Sequence, residues 1–336
     1  MKPNEMKVFH GLINYGTQAG LFAKGLRNRG IDAISVVKPD PFKRLSDIEL
    51  RHGGNFFQKI YKYTLNYLFL FKCMFRYNIF HFYYGQTLLP KQIDLYFYKL
   101  TGKKVIFHYL GGDVDTYNQC ENVDYYGRKI NNKPKLKRLK HETKFASYQF
   151  VCAPFYAQFV KNSIVLPLAI DIENFPYYPL QSNLQTIRIL HAPTNRQFKK
   201  SDYIESAIEK LIKEGYDIDY VCVSNITHEQ LKKEYINAHI IIDQLNFWYG
   251  TVSIEAMALG RPVIAGYESQ YFKYIDYGDQ IPIINADIQN IYNVLKQTLD
   301  NKSLLPEIGM KSRKFVENIH NLDKLSQQLI QYYEKL

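Results

Sequence analysis

Several residue patterns that define common protein classes are missing from this sequence. The 336 residues include only four cysteines, Cys73, Cys120, Cys152 and Cys222, and no CxxC or Cys/His spacing connects them. That pattern disfavours a disulfide framework and a zinc site, and it fits a reducing cytoplasm. The longest aromatic and aliphatic run, 67–71, is far shorter than the roughly 20 residues of a membrane-spanning helix. The first residues lack the pattern of a signal peptide, and no Walker-type phosphate loop occurs.

Acidic residues are outnumbered, with 32 Asp and Glu against 43 Lys and Arg, which gives a formal net charge of +11. An excess of this size favours an anionic partner, which would be nucleic acid, a phosphorylated ligand or an acidic membrane. Part of the charge can also serve solubility alone. The sequence has no helix-turn-helix, RNP or KH signature, and its basic runs are not interleaved with the aromatic residues of one surface strand, so we do not expect a nucleic-acid partner.

Length and hydrophobic patterning predict two domains of the α/β class. A chain of 336 residues with 46% hydrophobic residues is long for one core, so two domains of about 150 residues are expected. Short apolar strands alternate with helical patterns in both halves, as in parallel α/β folds. We predict two facing Rossmann-like, doubly wound domains, 1–166 and 167–318, with the ligand between them and outside the carboxyl ends of the strands.

A candidate anion site lies in FWYGTVSIEAMALGRPVIAGY, residues 247–267. A buried strand is expected to end at 243–245, Gly250 allows a tight turn, and a helix should begin near Thr251. The first amides of a helix have no intrahelical partner and its dipole is positive there, so this end suits phosphate groups. Glu255 lies one turn further on, where it can accept hydrogen bonds from a ribose, as acidic residues do in dinucleotide folds. Alternatively, Glu255 only complements the helix dipole.

Cations are expected at the same edge of the second sheet. The strand predicted at 186–192 runs into the polar loop HAPTNRQFKKSD, which contains Arg196, Lys199 and Lys200. A basic loop and a helix start at one sheet edge together predict a diphosphate site. Taken alone, such a lysine run is also typical of a solvated turn.

The motif YGTVSIEAMALGRPVIA resembles the nucleotide-binding signature of the group 1 retaining glycosyltransferases, the family 4-like enzymes of GT-B fold that build bacterial surface polysaccharides. The loop NRQFKK is similar to the Arg…Lys diphosphate clamp of that family, and LAIDIENF to its interdomain linker. The last segment, 319–336, is similar to the helix that crosses back onto the first domain. The resemblance covers most of the chain and is strongest over 186–266.

The resemblance implies transfer of a sugar from a nucleotide-sugar donor, with UDP-sugars favoured, to a glycan or a lipid-linked glycan. The transfer would proceed with retention of configuration and without a metal or another cofactor. Carried over by position, the resemblance implies that Glu255 binds the ribose, that the amides of Gly250, Thr251 and Val252 bind the phosphate, and that Ser224 and Asn225 contact the base. Arg196 and Lys199 would neutralise the leaving diphosphate. In the first domain, Gly16 would belong to the glycine loop that approaches the donor, and His108 would lie near the transferred sugar.

One position departs from the family pattern. The family usually has a second glutamate eight positions before the first, in an E-G-F-G setting, whereas this chain has Phe247-Trp248-Tyr249-Gly250. A phenylalanine cannot bind a sugar hydroxyl as a carboxylate does. Either Asp243 or another group takes that role, or the donor differs, or activity is impaired, and we favour an altered donor pocket.

The first half offers further candidates in FHYLGGDVD, residues 107–115. His108 and Asp113 follow a strand end, beside two glycines that allow close approach of a ligand, and we expect both to be catalytic. A histidine at a strand end is also commonly a structural residue, and His81 is a weaker candidate of the same kind. Asp113 and Asp115 form a DxD, a pattern that suits a metal on a diphosphate, but with a helix start and cations in the second half no metal is required.

Two basic segments could meet an anionic surface. The segment 56–76 is rich in Phe, Tyr and Leu with Lys and Arg at roughly helical spacing, and 133–144 is a second basic run. They predict peripheral association with the inner face of the membrane of a cytoplasmic protein, close to a lipid-linked acceptor. The alternative is a core helix with a basic edge whose long side chains reach water.

Two other functions remain open. Because the second glutamate is missing, the chain could be a non-catalytic partner of another glycosyltransferase. A nucleotide-sugar epimerase of similar architecture would need acid and base carboxylates, for which only Asp113, Asp115 and Glu255 are candidates.

Overall fold

A computed structural model describes residues 1–115, 131–181 and 185–336. The chain divides into two compact units. The first contains the described residues up to Ala169 together with Leu322–Leu336, and the second contains Ile170–Asn321.

The first unit is built on a seven-stranded sheet in which every strand pair is parallel, with the order β3-β2-β1-β4-β5-β6-β7. Its strands are β1 (Lys7–Leu12), β2 (Asp32–Val37), β3 (Ile48–Glu49), β4 (Ile79–Tyr83), β5 (Lys104–Tyr109), β6 (Tyr148–Val151) and β7 (Ile164–Val165). Its helices in this part of the chain are α1 (Gln18–Asn28), α2 (Phe56–Arg76), α3 (Asp94–Leu100) and α4 (Lys133–Glu142). The central strands β1, β4 and β5 are almost wholly buried, as is typical of parallel sheets, whereas the edge strands β3 and β7 are half-buried.

The second unit has a five-stranded parallel sheet with the order β12-β11-β10-β8-β9. Its strands are β8 (Ile187–His191), β9 (Ile218–Cys222), β10 (Ile240–Ile242), β11 (Val263–Ala265) and β12 (Ile284–Asn285). Its helices are α5 (Arg196–Lys199), α6 (Ser201–Lys213), α7 (His228–Asn237), α8 (Thr251–Ala258), α9 (Ile291–Asp300) and α10 (Leu305–Ile319). The strand order reverses between β8 and β10, and such a switch point is where open α/β sheets bind ligands.

The prediction of two doubly wound α/β sheets is confirmed. The strand predicted at 186–192 is β8 (Ile187–His191), and the helix expected near Thr251 begins at that residue. The strands β3, β6, β7 and β12 were not predicted; β3, β7 and β12 are each only two residues long, and β6 has four. Most of the basic run at 133–144 forms α4. This helix has so few apolar residues that no hydrophobic repeat in the sequence indicates it. In the described residues no helix is both long and apolar enough to cross a membrane.

The last helix, α11 (Leu322–Glu334), belongs to the first unit and packs on α1. Leu322, Leu325 and Leu329 are buried in one core cluster with residues of α1 and β1. At the surface, Arg29 makes a two-pronged ion pair with Asp323, whose shorter N–O distance is 2.8 Å. The expected return of the C-terminal helix to the first domain is therefore present.

A cluster of histidines and tyrosines with no exposed surface joins α11 to the sheet. His81 Nδ1 lies 2.7 Å from the Tyr333 hydroxyl on α11, and its Nε2 lies 3.3 Å from Nδ1 of His108. His10 Nδ1 lies 2.8 Å from the Tyr83 hydroxyl, and the rings of His10 and His81 stack with centroids 4.9 Å apart. Burial lowers the pKa of His10 and of His108 to about 3, and that of His81 also falls well below its usual value. The three rings are therefore neutral in the folded protein.

We expect acid to destabilise the protein through this cluster. The three histidines bind protons in the unfolded chain near pH 6.5 but not in the folded chain, so the stability that their neutral form provides is lost as pH falls below that value. Each such histidine contributes a slope of up to about 1.4 kcal/mol per pH unit. Thermal unfolding at pH 7.5, 6.5 and 5.5 tests this sign.

His10→Gln should flatten the dependence of the unfolding temperature on pH. His52→Gln is the matched control, because the His52 side chain is 56% exposed. An unfolding temperature that does not fall between pH 7.5 and pH 5.5 would contradict the assignment of neutral buried rings.

Candidate functional site

The start of α8 is organised by a buried carboxylate from the end of the neighbouring strand. Asp243 follows β10 and has no exposed surface. Its Oδ2 accepts hydrogen bonds from the amides of Gly250 and Ser253, both at 3.2 Å, and from the Ser253 hydroxyl at 2.6 Å. Asp243 thus satisfies amides that a helix N-terminus leaves unpaired, and its negative charge complements the helix dipole.

Lys199 neutralises this carboxylate. Its ammonium group donates to Oδ1 of Asp243, and the Lys199 side chain is only 8% exposed. Burial alone would favour the protonated acid, but the charge of Lys199 and the hydrogen bonds outweigh it and hold the pKa of Asp243 below its ordinary value. Lys199 follows β8 and Asp243 follows β10, so the pair sits at the switch point of the sheet.

Two further contacts join the loops at this edge. His191, at the end of β8, is buried, and burial lowers its pKa to about 4. The neutral ring donates from Nδ1 to the carbonyl of Ile242 at 2.8 Å and accepts at Nε2 from the Ser201 hydroxyl at 2.8 Å. The Asn246 amide donates to the carbonyl of Phe198 at 2.7 Å. The basic loop is therefore fixed to the loop that precedes α8.

Arg196, the second predicted phosphate ligand, has acidic partners. It begins α5 and its side chain is 50% exposed. The guanidinium donates to both carboxylate oxygens of Glu205 and to Asp202, with an N–O distance of 3.2 Å to Asp202. Its Nη1 also lies 3.8 Å from the sulfur of Cys222 at the end of β9. Arg196 can reach an anion at this edge only by exchanging these contacts.

The contacts of Asp243 with the start of α8 reduce the number of amides that can bind a phosphate there. The Gly250 amide is already bonded to Asp243, which leaves Thr251 and Val252 among the three predicted residues. These two half-buried residues form the first positions of α8, where amides lack intrahelical partners. Because Lys199 cancels the charge of Asp243, the helix dipole at this end is not opposed by a net negative charge.

Glu255 lies one turn into α8 and points to the start of α7. Its side chain is 12% exposed, and its Oε1 lies 2.9 Å from Nε2 of His228. This hydrogen bond raises the pKa of His228 above its ordinary value, against a smaller opposing effect of burial. His228 is a residue that sequence reasoning missed, because a histidine in a polar segment carries no signal until the fold places it beside Glu255.

Ser224 and Asn225, predicted to bind the base, lie in the connection between β9 and α7. Both are exposed, and Asn225 has a positive φ of 57°. Thr227 caps α7, with its side chain accepting from the amide of Gln230. The cap places His228 in the first turn of α7, directly after the predicted base-binding residues, so the structure brings this segment to Glu255.

The aromatic triplet before Gly250 is part of the core of the second unit. Phe247, Trp248 and Tyr249 are each about 95% buried. The rings of Trp248 and Tyr249 stack with centroids 4.9 Å apart, and the Tyr249 hydroxyl lies 3.1 Å from Nε2 of His320. Asp243, with no exposed surface, does not reach a sugar in this arrangement. The hypothesis that Asp243 replaces the missing glutamate therefore has no support in the geometry.

The candidates in the first unit lie in or after the strands β1 and β5. Gly16 lies in the connection between β1 and α1 with a positive φ of 55°, and its carbonyl accepts from the Gln18 side chain at 2.7 Å. His108 is fully buried in β5 beside His81. This position fits a structural role in the core, and contact of His108 with a sugar stays a prediction.

Asp113 is buried and shapes its own turn. Its Oδ1 accepts from the amides of Leu110 at 3.1 Å and Gly111 at 2.8 Å. Burial raises the pKa of Asp113 to about 7, a value that suits proton transfer, although its catalytic role also stays a prediction. In residues 1–115, 131–181 and 185–336, no group of three or more His, Cys, Asp and Glu side chains is arranged to hold a metal ion.

Comparison with solved structures shows which proteins share this fold. Sucrose-phosphate synthase from Thermosynechococcus elongatus matches with a TM-score of 0.63 at 18% identity, over 99% of this chain and 96% of that one. HepE from Anabaena, in complex with UDP-glucose, matches with a TM-score of 0.63 at 12% identity, over 98% of this chain and 100% of that one. At these identities the likeness establishes the fold, a GT-B arrangement over the full chain.

The same fold also occurs in a protein assigned to another reaction. A structure from Listeria monocytogenes, assigned as a UDP-N-acetylglucosamine 2-epimerase, matches with a TM-score of 0.53 at 11% identity, over 100% of this chain and 98% of that one. No protein-family model and no curated protein matches the sequence. The choice of reaction therefore has to come from the site.

Lys199→Met should destabilise the protein by about 3–5 kcal/mol, because it leaves the Asp243 carboxylate buried without its cation. Urea unfolding measures the change. Arg196→Gln is the control, since its ion pair is exposed and should contribute much less to stability than the buried pair.

Adding Asp243→Asn to Lys199→Met removes the unpaired charge, so the double variant should be more stable than Lys199→Met alone. Equal losses for Lys199→Met and Arg196→Gln would show that the buried pair does not stabilise the start of α8.

Glu255→Gln should lower the pKa of His228, because it removes the carboxylate whose hydrogen bond and charge raise it. An NMR titration of the His228 ring measures the shift directly. Glu229→Gln removes a more distant and 80% exposed carboxylate and should lower the pKa by less. A His228 pKa that is unchanged in Glu255→Gln would mean that the two side chains are not paired in solution.

Proposed function

We propose that this protein is a glycosyltransferase that takes its sugar from a nucleotide-sugar donor. The observation that supports this most directly is the start of α8 at the β8–β10 switch point, with a carboxylate one turn inside the helix. Amides of Thr251 and Val252 offer donors for a phosphate, and Glu255 offers acceptors for a ribose. Nucleotide binding needs this combination, and a helix that only packs on a sheet does not.

The donor would bind along the carboxyl edge of the second sheet. Ser224 and Asn225 would contact the base, Glu255 with His228 the ribose, and Thr251 and Val252 the phosphate groups. Two cations lie at the starts of helices here, Arg196 at the start of α5 and Lys200 directly before α6. Arg196 would exchange Glu205 for the diphosphate. Lys199 would act mainly by keeping Asp243 neutralised. UDP is the nucleoside diphosphate that we favour, and HepE, which shares the fold, is described in complex with UDP-glucose.

We infer retention of configuration and no requirement for a metal, as the resemblance of residues 249–265 to the glycosyltransferase signature implies. In such a transfer the protein stabilises the leaving diphosphate and positions the acceptor, and it does not need a strong base. His108 and Asp113 are the proposed groups of the first unit, and Gly16 the proposed point of close approach to the donor. The acceptor would be a glycan or a lipid-linked glycan of a surface polysaccharide, met at the inner face of the membrane.

A second candidate function is that of a non-catalytic partner of another glycosyltransferase. It is favoured by one observation, the burial of Phe247 where the related signature has a glutamate. A protein of this kind would keep the fold and could keep nucleotide binding, but it would not turn a donor over.

A thermal-shift panel of UDP, GDP, CMP, TDP and their sugar conjugates tests the donor site. We expect one nucleotide family to stabilise the protein, and Glu255→Ala to weaken that nucleotide on the order of 10- to 100-fold, because hydrogen bonds to a charged group are lost. Glu209→Ala, at an exposed position of α6, is the matched control and should bind normally.

Release of nucleoside diphosphate from the sugar conjugate separates the two candidate functions. Turnover that Glu255→Ala abolishes supports the transferase. Binding without turnover supports the non-catalytic partner, and the absence of any nucleotide-dependent shift rejects the donor site.

A further inference from the structure

Helix α2 presents an apolar face to solvent. Its buried residues Asn66, Leu70, Cys73 and Met74 recur at helical spacing and pack on the first unit. At 100° per residue the opposite side of the helix carries large apolar residues that are between 55% and 79% exposed: Phe57, Tyr61, Leu68, Phe71 and Phe75. Ile60 and Tyr67, which are 50% and 45% exposed, flank that side. A helix that only supports the core would have polar residues there.

The apolar face continues from α2 onto α3. The ring centroids of Phe71 and Phe75 are 5.0 Å apart, and Phe75 contacts Phe97 of α3 with a centroid distance of 5.3 Å. Ile93, directly before α3, and Tyr96 and Leu100 of α3 are exposed and lie on one side of the helix. We call these exposed apolar residues of α2 and α3 the α2–α3 surface. Monomeric soluble proteins rarely expose contiguous apolar areas of this extent, and such areas mark interaction sites.

Most of the charges that α2 and α3 carry are positive. Residues 56–104 contain one acidic residue, Asp94, and the basic residues Lys59, Lys62, Lys72, Arg76, Lys91, Lys99, Lys103 and Lys104. Asp94 is buried, and its carboxylate accepts from the Thr87 hydroxyl at 2.7 Å and from the Leu88 amide at 2.9 Å. Residues 56–104 therefore add cations and no exposed carboxylate to the apolar side chains, and at one end of α2 Arg76 pairs with the exposed Asp32 of β2 at 3.3 Å.

Helix α4 extends the same arrangement. Its only acidic residue, Glu142, is fully buried and accepts hydrogen bonds from Gln92 at 2.6 Å and from the Tyr109 hydroxyl at 2.8 Å. Lys133, Lys137 and Lys140 of α4 are exposed, whereas Arg138 is directed inward to Glu142. Tyr96 of α3 contacts Phe145, just beyond α4, with ring centroids 4.9 Å apart. Lys99 lies over the Phe145 ring at 5.7 Å. The carboxylates of α3 and α4, Asp94 and Glu142, are thus buried, while most lysines of these helices are exposed.

We propose that the α2–α3 surface docks on an anionic lipid bilayer. The Phe, Tyr and Leu side chains would enter the boundary between head groups and acyl chains, and the surrounding lysines would contact lipid phosphates, as interfacial amphipathic helices do. A second copy of the chain is a poorer occupant, because its cations would face those of the first. Nucleic acid offers no hydrocarbon for Ile60, Leu68 and Leu100. Docking itself does not depend on the proposed reaction, but its use to reach a lipid-linked acceptor rests on that function.

Cosedimentation of the full chain with vesicles tests the proposal. We expect binding to vesicles that contain phosphatidylglycerol, little binding to pure phosphatidylcholine, and weaker binding at about 1 M than at about 0.1 M salt. The triple variant Phe57→Ser, Leu68→Ser, Phe71→Ser should lose on the order of tenfold or more in affinity. The control is Tyr203→Ser with Ile212→Ser, two exposed apolar residues of α6, which should bind normally.

The charge contribution has its own variants. Lys72→Gln with Lys99→Gln should weaken binding to the anionic vesicles on the order of tenfold, whereas Lys161→Gln with Lys213→Gln, at exposed positions elsewhere, should not. Because the substituted residues are exposed, we expect all variants to fold. Equal unfolding temperatures of the variants and the unsubstituted protein would verify that a loss of vesicle binding is not caused by misfolding.

Three outcomes overturn the proposal. They are equal binding to both vesicle types, binding to neither, and a concentration-dependent dimer that the triple serine variant abolishes, which would assign the surface to a second copy. No nucleotide is present in the vesicle assay, so a failure there is distinct from a failure of the donor site in the thermal-shift panel.

Discussion

The buried ion pair between Lys199 and Asp243 holds together the part of the second unit on which its chemistry depends. The carboxylate of Asp243 takes the amides of Gly250 and Ser253 and the Ser253 hydroxyl, and so sets where α8 begins. Without a cation, a carboxylate with no exposed surface would be strongly unfavourable. Lys199 supplies that cation from the neighbouring strand connection. The pair therefore links β8 and β10 at the point where the strand order reverses.

This arrangement also decides how an anion could bind there. A lone aspartate at a helix N-terminus would repel a phosphate, but the paired carboxylate carries no net charge to oppose it. The dipole and the first amides of α8 remain available to a ligand at Thr251 and Val252. One turn further, Glu255 is held by His228 of α7. The site thus consists of polar groups along one edge of the sheet, and each group is held in place by a neighbouring helix or strand. The first unit presents an apolar and basic surface of α2 and α3, whose chemistry differs from that of the polar sheet edge.

The comparison of prediction and structure is most instructive at particular residues. Glycine at 250, small residues through 258 and the apolar strand at 263–265 were sufficient to locate α8 and its sheet, because turns, helix starts and buried strands follow local rules. The same reading assigned Lys199 to a diphosphate, whereas it is buried against Asp243. It treated Phe247 as a substituted sugar ligand, whereas the triplet Phe247–Tyr249 packs in the core. For the helix at 56–76 it left two interpretations open, and the structure shows one buried face and one exposed apolar face.

The sequence by itself determined the fold class, the order of most strands and helices, and the segments whose polar residues collect at the carboxyl edge of the second sheet. These features follow from hydrophobic periodicity and turn chemistry, which act between residues that are close in the chain. Only the tertiary structure decided which charges are paired. The contacts of Lys199 with Asp243, of Glu255 with His228 and of His81 with Tyr333 join residues separated by 44, 27 and 252 positions. Burial and long-range pairing control whether a side chain is charged, exposed or available to a ligand, and no local pattern contains that information.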